Sequence, residues 1–477
     1  MLLLLGLAVR LPVFAWPLWD VVPARQAHTA SVARTFWRSG IDLLRPRIDD
    51  LPEPRVRVQG LPLYEAGVAL LYRLVGGVRE GAARAFSASL AVLAAVCLWG
   101  LSKPIHGAGA AWICAAILLF APASILHTRT VQHDALALCL AVGGVSVSAL
   151  GLARRSVPLL FLSAGTLALA GMVKLPMASA IAPVLWIGLI DRESRLRRAA
   201  AVSTAGALGA VVAWVLYARW AGTVWPTRYA DADVARWFVA PLLAEPGFYA
   251  DVLDLATGAV LTPIVAGLAM VGLLLPAQEP RERMAHVWFA AAAAALLVFP
   301  LHARTHAYYH LAILPPVAML SARALCACAR IGGLQGWIPR ALLAALFLLP
   351  SLARVREETS LPPDHALLPS AARAVHRWSM PSDRIVAAGV PGPAFLYLCD
   401  RKGRGIDVPP GLERGGEGAS WRRMVEEERR EGATLLIAIG PATVPGSAFR
   451  LYCAGAFRLL EHRPGRFSVY RMGEGIR

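Results

Sequence analysis

Residues 83–125 read ARAFSASLAVLAAVCLWGLSKPIHGAGAAWICAAILLFAPASI, two apolar runs parted by Ser102-Lys103-Pro104. The runs, Ala83 to Leu101 and Gly107 to Ile125, approach the ~20 residues with which an α-helix crosses the hydrocarbon core of a bilayer. They predict two membrane spans joined by a short loop. Outward from this pair, similar runs recur at Leu2 to Trp16, Ala135 to Leu152, Pro158 to Val173, Pro176 to Ile190 and Ala199 to Tyr217. Thr257 to Leu275, Ala285 to Leu301, Leu311 to Cys328 and Trp337 to Leu352 complete the set, about eleven candidate spans in all. Composition agrees: of 477 residues, 57% are hydrophobic and 17% charged, and the mean hydropathy is +0.54, far outside the soluble globular range. The chain is expected to be an α-helical polytopic membrane protein over residues 1–355, followed by a segment, 356–477, polar enough to fold in water.

The first run lacks a basic stretch before it and carries Arg10 in its middle, so it reads as a retained span and not as a cleaved signal peptide. With the N-terminus cytoplasmic, the inner short loops hold ten basic residues: Lys103, Arg154, Arg155, Arg192, Arg195, Arg197, Arg198, Arg281, Arg283 and Arg330. The outer ones hold three, Arg129, Lys174 and Arg304. That bias fixes the orientation by the positive-inside rule, and an odd number of spans then puts the tail outside.

A formal charge of +17, from 48 Lys+Arg against 31 Asp+Glu, raises nucleic acid as a partner in a soluble protein. Here the basic residues are overwhelmingly Arg and scattered between apolar segments, with no stripe of interleaved aromatics, so nucleic acid is set aside. Of the seven cysteines, Cys97, Cys114, Cys139, Cys326 and Cys328 fall in apolar runs, where Cys acts as a small hydrophobe. Cys399 and Cys453 lie in the tail, where an oxidising compartment would permit a disulfide.

Two outer loops are long: Pro17 to about Arg79, and Arg219 to about Ala256. Such stretches in a compact protein usually carry function. Within the first, Pro23 to Arg38 reads as an interfacial helix, with Ala30, Ala33, Phe36 and Trp37 on one face and Arg34 and Arg38 on another. Pro62 to Val75 is a second segment too short to cross. In the tail, Ser370 to Trp378 and Trp421 to Arg430 read as helices. Arg384 to Ala388, Leu435 to Ile439, Phe457 to Glu461 and Phe467 to Tyr470 read as strands. A small α/β domain without a P-loop, a GxGxxG or a nucleophile elbow follows.

Carboxylates are scarce in the membrane part, and ionisable groups near a bilayer tend to be kept for a task. Asp20 follows the first span and Asp134 opens the fourth. Asp20 either caps the helix near Pro23 or serves as a general base toward an acceptor hydroxyl or amine. Asp134 either caps its span or orients the acceptor. Arg25, Arg34 and Lys174 are the cations placed to neutralise a lipid-linked phosphate, Lys174 standing between apolar neighbours where it must snorkel or be paired. His306, Tyr308, Tyr309 and His310 suit hydrogen bonds to phosphate or sugar, or form an interfacial aromatic belt. No metal-ligand motif exists around these histidines, so no cofactor is assigned.

The layout resembles a known family. Asp20, Arg25-Gln26, Thr29-Ala30, Val32-Ala33-Arg34, Pro46-Arg47-Ile48-Asp49 and Leu61-Pro62-Leu63-Tyr64 look like the first outer loop of GT-C glycosyltransferases. The Asp134 segment, Lys174-Leu175-Pro176 and His306-Ala307-Tyr308-Tyr309-His310 before Pro315-Pro316 extend the likeness. The members it resembles are bacterial enzymes related to protein O-mannosyltransferases and lipid A aminoarabinose transferases. The resemblance implies a multispan enzyme of the cell inner membrane with an extracytoplasmic tail, taking a sugar from a polyprenyl-phosphate donor and passing it, with inversion, to an acceptor not identified by the sequence. Asp20 matches the family's first-loop catalytic acid. Departures are Ala24, where relatives often carry an aromatic, Gln59, where they carry Glu, and His133, where Pro is common. Asp49 or Asp50 could replace the acid missing at Gln59. The rival reading is a transporter or flippase of lipid-linked glycans, which would show a polar path through the bilayer and an internal repeat; here the polar residues crowd on one face.

Overall fold

In the computed structural model, the described residues are 1–225, 238–331, 337–359, 361, 363–390, 392–406, 408 and 418–473. They form two compact units, each taken by itself below. The first comprises Met1–Ala15, Val58–Leu71 and Gly81–Thr359; the second comprises Trp16–Arg57, Tyr72–Glu80 and Ser360–Arg477. The first outer loop is thus divided, and most of it belongs with the tail.

In the first unit, the two runs that opened the sequence form one continuous helical element, Glu80–Phe120, broken at Gly107 (φ 85) behind Pro104. Thirteen residues of straight helix span about 20 Å, yet the rings of Trp99 and Trp112 are 5.4 Å apart. The element therefore doubles back as a hairpin, as the two-span reading expects. By length and apolarity, four helices among the described residues can cross a membrane: Glu80–Phe120, Asp134–Ala153, Ser194–Val224 and Ala307–Cys328. A fifth counts if Pro246–Val260 and Pro263–Leu274, bent by 114°, are one span. The expected eleven are not reached by this measure, because several runs are broken or short. Leu2 to Trp16 folds as a helix Leu2–Ala8 and a turn Leu11–Val13, parted at Arg10 and Pro12. Val157–Val173 and Leu175–Leu189 are apolar helices shorter than a full crossing. Part of the expected outer loop Arg219 to Ala256, residues 226–237, lies outside the described residues.

Helices approach closely where small residues let them. A Cβ on Gly272 would lie 2.0 Å from the Leu320 carbonyl oxygen, and one on Gly188 would lie 2.3 Å from the Ala200 Cβ. Arg10 is fully buried. Its guanidinium donates to Thr128 Oγ1 (2.8 Å), Gly6 O (2.5 Å), Leu119 O (2.9 Å) and Ser124 Oγ (3.2 Å), pinning the first helix to the buried segment ahead of Asp134.

In the second unit, the helix Pro23–Ser39 starts on Pro23 as expected and buries Ala30, Ala33 and Phe36. The tail carries a five-stranded sheet of order β2-β1-β3-β5-β4, where β1 is Arg384–Ala388, β2 Lys402–Ile406, β3 Ala433–Ile439, β4 Arg458–Arg463 and β5 Phe467–Arg471. β2 and β3 flank β1 in parallel, and β5 pairs antiparallel with both β3 and β4. Helices Leu368–Trp378, Gly392–Cys399, Gly418–Arg430 and Ala448–Ala456 accompany the sheet. One core cluster joins Val386, Leu436, Trp421, Phe449, Phe457 and Tyr470. Cys399 and Cys453 are buried free thiols, so the disulfide that the tail would permit is not formed. The strand β2 was not expected: its sequence, KGRGI, lacks the β-branched pattern. Gly403 explains the choice of residue, since at φ 148 a Cβ would meet the Ile385 carbonyl oxygen at 1.8 Å.

Candidate functional site

In the spanning unit, Asp134 is fully buried at the first position of the helix Asp134–Ala153, where a carboxylate also meets the positive end of the helix dipole. Its carboxylate pairs with the ammonium of Lys174. Lys174 sits in extended backbone (φ −151, ψ 108) between Val157–Val173 and Leu175–Ala180, a break that Pro176 enforces by disfavouring helical backbone before it. Lys174 Nζ also donates to the Tyr308 carbonyl oxygen at 2.7 Å and lies 4.7 Å and 5.4 Å from the ring centres of Tyr308 and Tyr309. A second break stands opposite: His306 is extended (φ −133, ψ 104) between Pro300–Thr305 and Ala307–Ile313. Irregular backbone at this depth is tolerated only where protein or a watery cavity surrounds it, and the two breaks meet through Lys174 and Tyr308.

The rings complete this half of the site. His306 packs edge-on against Tyr308 at 5.0 Å, Tyr308 against Tyr309 at 5.3 Å, and His127 against Tyr308 at 5.7 Å. His306 Nδ1 and Thr305 Oγ1 are 2.5 Å apart. Of the expected residues, Asp134, Lys174, His306, Tyr308 and Tyr309 therefore come together. His310 is fully buried, and its Nε2 lies 2.7 Å from the Ala303 carbonyl, to which it can only donate. That bond clasps the second break shut and gives His310 a structural task. Among the described residues, no three His, Cys, Asp or Glu side chains gather as a metal ion requires.

The first-loop segment Gln59-Gly60-Leu61 is held at the same level of this unit. Leu61 N donates to Met172 O at 2.8 Å, Trp214 Nε1 donates to Gln59 O at 3.0 Å, and a Cβ on Gly60 would lie 2.3 Å from Val173 O. One carboxylate here escaped the sequence reading. Glu65, in the helix Leu63–Leu74, is buried, with Oε1 3.7 Å from His133 Nδ1. Its signal was legible as a lone acid in an apolar segment, the argument already applied to Asp134.

In the second unit, Asp20 is 5% exposed, and Gln26 Nε2 donates to its Oδ1 at 2.8 Å and to Val21 O at 2.7 Å. The helix Pro23–Ser39 is entered through Val22 in left-handed backbone (φ 49) with no side-chain cap, so Asp20 is not its N-cap. Arg25 is half-buried on the first turn of that helix. Arg34 is fully engaged: it donates to Asp49 (2.6 Å) and Tyr397 O (2.9 Å), approaches Asp400 (3.1 Å) and stacks 4.2 Å over the Tyr397 ring. Asp49 also meets Arg55 at 3.3 Å. Asp50 meets His28 Nε2 at 2.9 Å, while Arg57 Nη1 stands 3.2 Å from His28 Nδ1. Arginine only donates, so His28 Nδ1 accepts and Nε2 carries the proton toward Asp50. Both acids considered as substitutes at Gln59 are thus tied to basic partners of their own unit.

Comparison with known proteins agrees with this architecture. Residues 60–220 match the dolichyl-phosphate-mannose-protein mannosyltransferase family. ArnT from Cupriavidus metallidurans, solved with undecaprenyl phosphate, superposes with TM-score 0.64 at 16% identity, over 98% of this chain and 97% of its own. The Archaeoglobus fulgidus oligosaccharyltransferase gives 0.61 at 13%, over 99% and 73%. The mycobacterial arabinofuranosyltransferase AftD gives 0.59 at 17%, over 99% and 41%. A search of curated protein sequences returns no match. The chain has the fold of the GT-C membrane glycosyltransferases. Within that class it resembles the ArnT-like, oligosaccharyltransferase-like and mannosyltransferase-like enzymes.

Proposed function

We propose that this protein is a GT-C glycosyltransferase of the inner membrane that transfers a sugar, with inversion, from a polyprenyl-phosphate donor to an extracytoplasmic acceptor. The observation that carries the reading is the buried Lys174–Asp134 pair, built at two breaks in membrane-level helices of a fold shared with an enzyme solved with undecaprenyl phosphate. Charge retained at that depth is costly and is kept for function. The positive-inside bias places the tail outside.

In this reading Asp20 is the general base. Gln26 holds one of its oxygens, which fixes the direction in which the other can take a proton from the acceptor. The phosphate is already a competent leaving group, so fixed positive charge matters more than a general acid. Lys174, with Tyr309 and His306 beside it, meets the phosphate in the spanning unit, and Asp134 orients the ammonium. Arg25 remains a candidate for the same anion. Arg34 is assigned to bracing the loop, because its donors are already committed to Asp49 and Tyr397.

The test is release of lipid phosphate from polyprenyl-phosphate sugars by the reconstituted protein. Asp20→Asn is expected to lower kcat by about 10²–10⁴-fold, the usual share of a general base, with KM nearly unchanged. Equal turnover by the variant and the wild type removes the base assignment.

A further inference from the structure

Two buried side chains of the spanning unit retain hydrogen-bonding capacity that none of the roles above uses. Glu65 is 7% exposed; its Oε1 faces His133 at 3.7 Å, while its Oε2 is shielded from solvent and accepts no hydrogen bond among the described residues. Gln132 is fully buried, and neither its amide oxygen nor its amide nitrogen has a hydrogen-bond partner among the described residues. Gln132 is the chain neighbour of His133, and both directly precede Asp134. Leaving such groups unmade is costly, and a native fold keeps them where something else completes their bonds.

We propose that Glu65, Gln132 and His133 form a recognition site for the hydroxyl groups of a neutral donor sugar. The proposal rests on the transferase reading and adds what that reading lacks, the place where the sugar is read. The chemistry matches. A pair of neighbouring ring hydroxyls donates two O–H groups and offers two acceptor oxygens. Glu65 Oε2 and Gln132 Oε1 accept, Gln132 Nε2 donates, and the imidazole of His133 does either. The placement matches as well, because the sugar is one bond from the phosphate and Asp134, next in the chain, holds the Lys174 assigned to that phosphate. A site made of buried polar groups rejects an analogue that lacks a hydroxyl, since its own donors and acceptors are then left unpaired.

The experiment uses the full chain in proteoliposomes with undecaprenyl-phosphate mannose, glucose and galactose and their monodeoxy analogues, comparing kcat/KM for each sugar and its deoxy form. The wild type is expected to favour one hydroxylated sugar over a deoxy analogue by about tenfold to a hundredfold. Glu65→Gln and Gln132→Leu should each bring that ratio near unity by slowing the hydroxylated donor and sparing the deoxy one, whereas Asp20→Asn should slow both alike. Gln132→Glu preserves side-chain size and repeats the test if Gln132→Leu does not fold. A wild-type ratio that both sites of substitution leave unchanged overturns the sugar site alone, and is the result expected if ordered water satisfies these groups. Failure of the wild type to release lipid phosphate from any of the probes overturns the transferase reading and the sugar site with it.

Discussion

Gly60 sits so close to the end of the helix Val157–Val173 that any side chain would strike backbone. Its Cβ would lie 2.3 Å from the Val173 carbonyl oxygen, and a main-chain atom cannot swing aside as a side chain can. Gly60→Ala should therefore push Gln59-Gly60-Leu61 off Met172 and Trp214, costing about 1–3 kcal/mol. A lowered midpoint of thermal unfolding in detergent, with transfer activity falling alongside, is the expected result; an unchanged midpoint would show that the loop yields. At this scale the sequence pointed well to rare groups and poorly to their partners. Asp134 and Lys174 stood out as charges in apolar runs, but nothing in the chain announces that residues 40 apart in sequence are one ion pair. Arg34 looked like a phosphate ligand because its helical face was polar. Its partner Tyr397 lies 363 residues away, a separation that no local pattern encodes.

The elements that matter most are interrupted ones. Lys174 and His306 occupy extended breaks in otherwise helical segments, and the ion pair with Asp134 ties one break to the start of a third helix. Removing one member of a buried pair strands the other charge and costs about 3–5 kcal/mol, while replacing both with apolar groups is far milder. Asp134→Leu and Lys174→Met should each destabilise the protein strongly, and the double variant should recover much of the loss while staying inactive. Additive midpoint shifts in detergent would argue that the two side chains are not coupled. Apolar run length identified the helical segments but overstated how many are full crossings, since it registers composition and not the turns that Pro12, Pro104 and Gly107 introduce. In the tail, the strands rich in Val, Ile and Leu were legible. β2 was missed because its glycines are chosen for contact with Ile385 and Gly392 and leave no pattern of side chains.

At the scale of the whole molecule, the first outer loop is shared between the units, and acid is the lever on the part that goes with the tail. Partial burial raises the Asp400 carboxyl, but the hydrogen bond from Arg38 and the charges of Arg34, Arg38 and Arg401 lower it more, leaving it below its ordinary value. Burial raises Glu53 likewise, and Lys402 and Arg55 outweigh it. A carboxylate depressed in the folded state lends its stability in full above the unfolded value, about 4 for these residue types, and loses it as the pH falls through the lower folded value. Hydrogen exchange at residues 34–38 and 396–403 should accordingly speed up between about pH 4 and pH 2, and Asp400→Asn should blunt that response. Faster exchange in the wild type at pH 6 than at pH 3 would contradict the sign. The buried guanidinium of Arg10 imposes a different order of events, during synthesis. Its acceptors at Leu119, Ser124 and Thr128 are encoded 109 to 118 residues later, so the leading segment must wait at the translocon or the lipid headgroups until that stretch emerges. Nascent chains arrested before Leu119 should leave the leading segment extractable by alkali, and chains extended beyond Thr128 should not. The first helix to be made would then be among the last to settle.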